Sequence, residues 1–380
     1  MEESVKGHLA VLGKEIRTLI GHSTPCTESS PAITCWTKNS EDVDVALKVI
    51  GAASQSIHDG VTRLNLVYKA NPSEAASKSM SNEMGGFCQQ MVASLTLLSS
   101  VGASKAMVDY FAVGVRGVLH ALKDLIDALL DPSRHAHLNS LTGMVWQSCK
   151  ELQLVPKTNK LACRRQMMQW SVAIKDTIDE FVEAAKTAAL ANAGKSETPE
   201  GSTMLVEQFA AKVTVGDGHS GSEGGGGEGG GDAHDDFDFD DMDEDYSADE
   251  LRCLEASIDI LRVFRRCLKA ANEAFNTLDS AQAKPAGAGE GWLQRKLEWV
   301  KFVEAHLEDA NECAGEIGIL LYPPLDGADL LGRAGELERS LASFCNTFDA
   351  CEEGDGKRES PLRKAVRDKF CVLRAAVEAL

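Results

Sequence analysis

The sequence predicts an all-helical protein made of two antiparallel helical bundles joined by a disordered Gly-rich acidic linker. Apolar residues recur at intervals of three and four through most of the chain, as in helices that bury one face. The strict apolar–polar alternation of half-buried strands is nearly missing. One stretch, Gly216 to Gly231, is so rich in glycine that no side-chain burial offsets the entropy of ordering it. The expected divisions are an amino-terminal bundle over 1–215, an acidic linker over 216–246 and a carboxy-terminal bundle over 247–380.

The first clear stripe is Val43, Leu47, Ile50, Ile57, Val61, Leu64 and Tyr68, with Asn39 or Ser40 as cap and Asn71-Pro72 as stop, because proline disfavours helix at the residue before it. Met107, Phe111, Val115, Val118, Leu122, Leu125 and Leu129 form a second, ending at Asp131-Pro132. Met167, Trp170, Ile174, Ile178 and Phe181 lead a third into an alanine-rich tail that Gly194 should close. About five or six helices are expected before the linker.

About four are expected after it. Ser247 and Glu250 spell a capping box ahead of Leu254, Ile258, Leu261, Phe264, Leu268, Ala271, Phe275 and Leu278. Leu293, Leu297, Val300, Val303, Leu307, Ala314 and Ile317 run to Tyr322-Pro323-Pro324, where two prolines force a break. Leu330, Ala334, Leu337, Leu341, Phe344 and Phe348 give the next. Leu362, Val366, Phe370, Leu373 and Val377 give the last, opened by Ser360 as cap and Pro361 at the first helical position.

Composition narrows the function classes. The formal charge of −19 opposes direct nucleic-acid binding, which needs Lys and Arg to displace the counterions of phosphates. Residues 213–251 hold fourteen Asp and Glu and no Lys or Arg, leaving −5 for the rest of the 380 residues. No apolar run approaches the roughly 20 residues of a membrane-spanning helix, and the acidic start of the chain does not resemble a secretory signal. The eleven cysteines, without a C-x-x-C pair, read as thiols of a reducing compartment.

Enzymatic signatures fail at the part their chemistry needs. Gly224, Gly226 and Gly229 spell G-x-G-x-x-G with no strand before it to aim a helix at a pyrophosphate. Gly194-Lys195-Ser196 ends like a phosphate loop, but Ala189 stands where the first glycine must turn the backbone. Asp236, Asp238 and Asp240 imitate a calcium loop in which Asp241 replaces the turning glycine and Ser247 the bidentate glutamate. His135 and His137 read as the solvent-facing start of a helix. Neither a metal site nor an activated nucleophile has its ligands or its base, so no catalytic residue, cofactor or metal is assigned.

Recognition features are more numerous. Asp232 to Asp245 crowds carboxylates around Phe237, Phe239 and Met242, so that Asp236, Phe237, Asp238, Phe239, Asp240 and Asp241 form a repelling, extended segment with apolar hooks for a basic partner. Directly after it, Leu251, Cys253 and Glu255 fit L-x-C-x-E, a pattern that resembles the ligand of retinoblastoma-type pocket proteins. Such a ligand binds extended, whereas Leu251 and Leu254 also begin a helical stripe. Thr24, Ser30, Thr198 and Ser360 each precede proline and are candidates for proline-directed phosphorylation; Ser247, among acidic residues, is another.

Two stretches carry a family resemblance. The first is Val145-Trp146-Gln147-Ser148-Cys149 followed by Pro156-Lys157-Thr158-Asn159-Lys160-Leu161-Ala162, leading into a helix with Asp176 and Glu180. The second is Gly318-Ile319-Leu320-Leu321-Tyr322-Pro323-Pro324. In these, and in the order of helices, acidic linker and helices, the chain resembles the cyclin-D-binding protein family, also described as Grap2- and cyclin-D-interacting or maternal Id-like. The resemblance implies an all-helical, two-bundle fold similar to vinculin- and talin-like bundles, no enzymatic activity, and binding to D-type cyclins, with retinoblastoma-type pocket proteins or helix-loop-helix factors as further partners. It also implies restraint of cell-cycle progression and residence in nucleus and cytoplasm. Trp146, Pro156, Asn159, Lys160, Tyr322, Pro323 and Pro324 are then expected to be architectural. Since similar bundles serve adhesion and the cytoskeleton, a scaffold of that kind is the alternative.

Overall fold

The computed structural model describes residues 3–23, 33, 35–70, 73–195, 246–278, 292–349 and 360–380. Among them lie ten α-helices and no strand: α1 (Glu3–His22), α2 (Glu41–Lys69), α3 (Glu74–Ser100), α4 (Lys105–Leu130), α5 (Leu138–Gln153), α6 (Asn159–Lys195), α7 (Ala248–Thr277), α8 (Trp292–Leu320), α9 (Gly327–Asp349) and α10 (Pro361–Val377). A single 3-10 stretch, Pro132–His137, links α4 to α5 and leaves His135 and His137 exposed. The all-helical reading of the sequence therefore holds. Of the expected linker, residues 216–245 lie outside the described residues, whereas its last residue, Tyr246, is buried and belongs to the folded part.

Serine opens helix after helix. Ser40, Ser73, Ser104, Ser247 and Ser360 each accept, through Oγ, the amide three residues on, at 3.2 to 3.4 Å. This satisfies a donor that the first turn otherwise leaves orphaned, a contribution of about 1 kcal/mol per cap. At Ser247 the box is complete, because Glu250 Oε2 accepts the Ser247 amide at 2.8 Å. Between α3 and α4, Gly102 takes φ 97°, the left-handed conformation that ends helices and that side chains resist.

The chain divides into two compact units interleaved in sequence: Met1–Gln169 with Ala270–Glu304, and Trp170–Lys269 with Ala305–Leu380. These units differ from the sequential halves expected at 1–215 and 247–380, since α6, α7 and α8 each contribute to both.

In the first unit α4 is the central element, buried along Met107, Phe111, Val115, Val118, Leu122, Leu125 and Leu129 and packed against α1, α3 and α5. Helix α2 packs on α3 and α5. The α2–α3 approach is close because Gly60 has no side chain; a Cβ there would stand 2.8 Å from Met84 Sδ. Helix α3 escapes a simple periodicity reading because Ser77, Ser81, Gly85 and Ser94 share its buried face. In the second unit α9 buries Leu330, Leu337, Leu341 and Phe344 against α10, which buries Val366, Phe370, Leu373 and Val377. Truncating any of these to alanine should cost roughly 2–5 kcal/mol. Leu293 departs from its expected stripe, being 48% exposed in the first turn of α8.

Candidate functional site

The first family-like stretch puts Trp146 on the outward side of α5, 36% exposed. Its indole Nε1 donates to the His58 carbonyl of α2 at 3.1 Å, and the two rings stand 5.8 Å apart, tilted by 34°. Next along α2, His58 Nδ1 lies 3.0 Å from Asp59 Oδ1, which also accepts from Gln55 Nε2 at 2.9 Å. Those hydrogen bonds, led by the one from His58, hold the Asp59 carboxyl below its ordinary range. Gln153 of α5 donates to Gln55 Oε1 at 3.2 Å. Polar bonds thus fix a flat aromatic ring at the surface of two packed helices, the kind of rigid anchor that dominates protein interfaces.

A histidine, an aspartate and a cysteine meet in this region, yet they do not make a nucleophilic set. Cys149, under the same face, is fully buried. Burial pushes its thiol up, so the reactive thiolate is suppressed. The His58 ring is engaged by Asp59 and Trp146. Among the described residues no three His, Cys, Asp or Glu side chains gather as a metal-binding group, and no helix is long and apolar enough to cross a membrane.

The second half of that stretch is a buried hub. Asn159, fully buried, donates Nδ2 to the carbonyls of Cys35 at 2.7 Å and Gly102 at 3.2 Å, and its Oδ1 accepts the Ser104 amide at 2.6 Å. One side chain therefore ties the start of α6 to the segment before α2 and to the α3–α4 turn. Beside it, Glu304, only 4% exposed, accepts the Ala106 amide at 2.9 Å, setting a carboxylate at the positive end of α4. Burial, and then the Glu304 charge, push the Cys163 thiol far up. The Lys160 amide donates to the Trp36 carbonyl and its ammonium to the Asn276 carbonyl, both at 3.1 Å. Pro156 is buried just before this hub. The resemblance alone marked Asn159 and Lys160. Glu304 was missed, because an isolated acidic residue on an apolar stripe gives no signal of burial.

In the second unit the Tyr-Pro-Pro element closes on the helix that carries Glu180. The Tyr322 hydroxyl donates to Glu180 Oε1, and its ring meets Phe181 edge-on at 5.1 Å. The peptide between Pro323 and Pro324 is cis. The Tyr246 hydroxyl donates to the Leu321 carbonyl at 2.8 Å, and burial pushes that phenol up to about 12. Two stretches far apart in sequence, noted together only through the resemblance, are here in contact.

The L-x-C-x-E residues are helical. Leu251 and Glu255 are half-buried in the first turns of α7, and Cys253 is fully buried, its thiol pushed by burial up to about 11. Folded α7 turns this cysteine into the core instead of presenting an extended ligand. Ser247 and Ser360 both act as helix caps. Asp236, Phe237, Asp238, Phe239, Asp240, Asp241, Thr24, Ser30 and Thr198 lie outside the described residues.

Residues 49–187, which run from within α2 almost to the end of α6 and include Trp146, Pro156, Asn159 and Lys160, match the family described as Grap2 and cyclin-D-interacting, N-terminal. No curated protein matches the chain.

Proposed function

We propose that this chain, which belongs to the Grap2 and cyclin-D-interacting family and carries its N-terminal domain over residues 49–187, is an interaction protein that binds D-type cyclins and thereby slows cell-cycle progression. Retinoblastoma-type pocket proteins or helix-loop-helix factors would be further partners, met in nucleus and cytoplasm. The observation that carries the reading is the fixed, outward Trp146 at the α2–α5 face, inside the matched residues. An aromatic anchor held at its polar edge offers contact area at little entropic cost, which is what adaptor recognition uses. Titratable groups beside it are turned to structural bonds, and no step of catalysis is assigned to them.

Titration of the full-length chain with a purified D-type cyclin tests this. Saturable binding is expected, weakened about tenfold or more by Trp146→Ala, as for an interface hot spot. Absence of cyclin binding, together with binding to purified actin filaments, would replace the reading with that of a cytoskeletal scaffold.

A further inference from the structure

Within a chain of net charge −19, one end of the second unit is strongly basic. Residues 259–269 of α7 and 361–369 of α10 carry eight Lys and Arg against two Asp. The two stretches lie side by side: Lys369 Nζ binds Asp259 Oδ2 at 2.6 Å, and Arg262 binds the other oxygen of the same carboxylate at 3.1 Å. The second aspartate, Asp368, is paired with Arg367. Both acidic residues are thus already engaged, while Arg266, Lys269, Arg363 and Lys364 are exposed on the same two stretches. Exposed like charges held together on rigid helices repel one another and attract an oppositely charged chain.

The same unit receives the end of a segment of opposite composition. Residues 232–245 hold nine Asp and Glu and no Lys or Arg, interleaved with Phe237, Phe239 and Met242. Just after it Tyr246 is anchored, 7% exposed, with its hydroxyl on the Leu321 carbonyl, and Ser247 caps α7. From Ser247 to Lys269 is about 33 Å along a helix, and fourteen residues of extended chain span up to about 46 Å. The segment can therefore reach the basic end from its own anchor. Tethering raises its effective concentration there to roughly the millimolar range, above that of a typical free competitor.

We propose that the basic α7–α10 face of the second unit is a docking site for the chain's own acidic segment, residues 232–245. Its carboxylates are read by Arg266, Lys269, Arg363 and Lys364. This goes beyond the cyclin reading and does not depend on it. A basic ligand of the acidic segment, or an acidic ligand of the face, has to displace this internal contact, which makes the charge pair a selectivity filter for partners.

Zero-length carbodiimide coupling of the full-length chain, read by mass spectrometry, tests the proposal. At low salt, carboxylates of 232–245 are expected to couple to Lys269 and Lys364 at least fivefold more than to the exposed Lys48, Lys78 and Lys150 of the other unit. The preference should vanish near 0.5 M salt, where charges are screened within about 4 Å. It should also vanish in a variant combining Asp236→Asn, Asp238→Asn, Asp240→Asn and Asp241→Asn. A mixture of light and heavy isotope-labelled protein separates sources, because coupling between differently labelled chains would make a second copy the occupant and overturn the assignment. So would even coupling across all exposed lysines, or occupation of the face by the carboxylates of residues 352–359 instead.

Discussion

Asn159 accepts the Ser104 backbone amide at 2.6 Å, fully buried, while the same side chain donates to two carbonyls from other segments. Removing it orphans one amide and two carbonyls at once, each of which costs about 1–3 kcal/mol when buried without a partner. Asn159→Ala is expected to lower stability by about 3 kcal/mol or more, seen as a shifted midpoint in urea unfolding. Asn159→Asp should be no milder, since a carboxylate cannot donate to the carbonyls of Cys35 and Gly102.

Two glycines on α4 make opposite predictions. A Cβ at Gly117 meets nothing within 4 Å, so Gly117→Ala should stabilise by roughly 0.5–1 kcal/mol through helix propensity alone. At Gly114 a Cβ would stand 2.6 Å from Leu152 Cδ1 and 3.6 Å from its Cα, and Leu152 is only 3% exposed. Gly114→Ala should forfeit that gain and lose about 1–3 kcal/mol by forcing the buried Leu152 side chain out of its place. Paired denaturation curves give the sign of each.

The capping box has a pH signature. Burial raises the Glu250 carboxyl, but hydrogen bonds from Leu325 and Ser247 outweigh it and hold the group below 4.5. A folded value below the unfolded one gives stability that is full above the unfolded value and lost as pH falls through the folded one. Wild-type stability should therefore drop faster than that of Glu250→Gln between about pH 5 and about pH 3, with the two curves converging at the acid end. Parallel curves would show that the carboxylate is not held this way.

Thiol reactivity should sort by burial. Cys371 is exposed, whereas Cys88 and Cys253 are fully buried, with thiols pushed up to about 12 and about 11. At pH 8 a thiol of pKa 12 is thiolate in only about one molecule in ten thousand. Native-state alkylation mapped by mass spectrometry should modify Cys371 and spare Cys88 and Cys253 until urea is added. Rapid native labelling of Cys253 would show that the first turns of α7 open, the condition under which the L-x-C-x-E residues become available.

Much of the fold is legible in the stripes of α2, α4 and α7 to α10, because each helix has one continuous apolar face and, α9 apart, a serine or proline that fixes one end. Helix α3 is harder to read, since its buried face is built from serine, glycine and methionine and lacks that contrast. The hub is legible only in part. Asn159 stands out through the family-like stretch, whereas Glu304 differs from an exposed glutamate only in what folds around it.

The amino-acid order by itself determined that this protein is helical, where several of its helices begin or stop, and where its charge is concentrated, because periodicity, caps and composition act over a few residues. Only the tertiary structure decided which segments share a core, that Cys253 points inward, that Tyr322 meets Glu180, and that the basic stretches of α7 and α10 stand together. Those relations join residues far apart in the chain: Tyr322 and Glu180 are separated by 142 positions, and Lys369 and Asp259 by 110. They are set by the packing of whole helices, which no local pattern encodes.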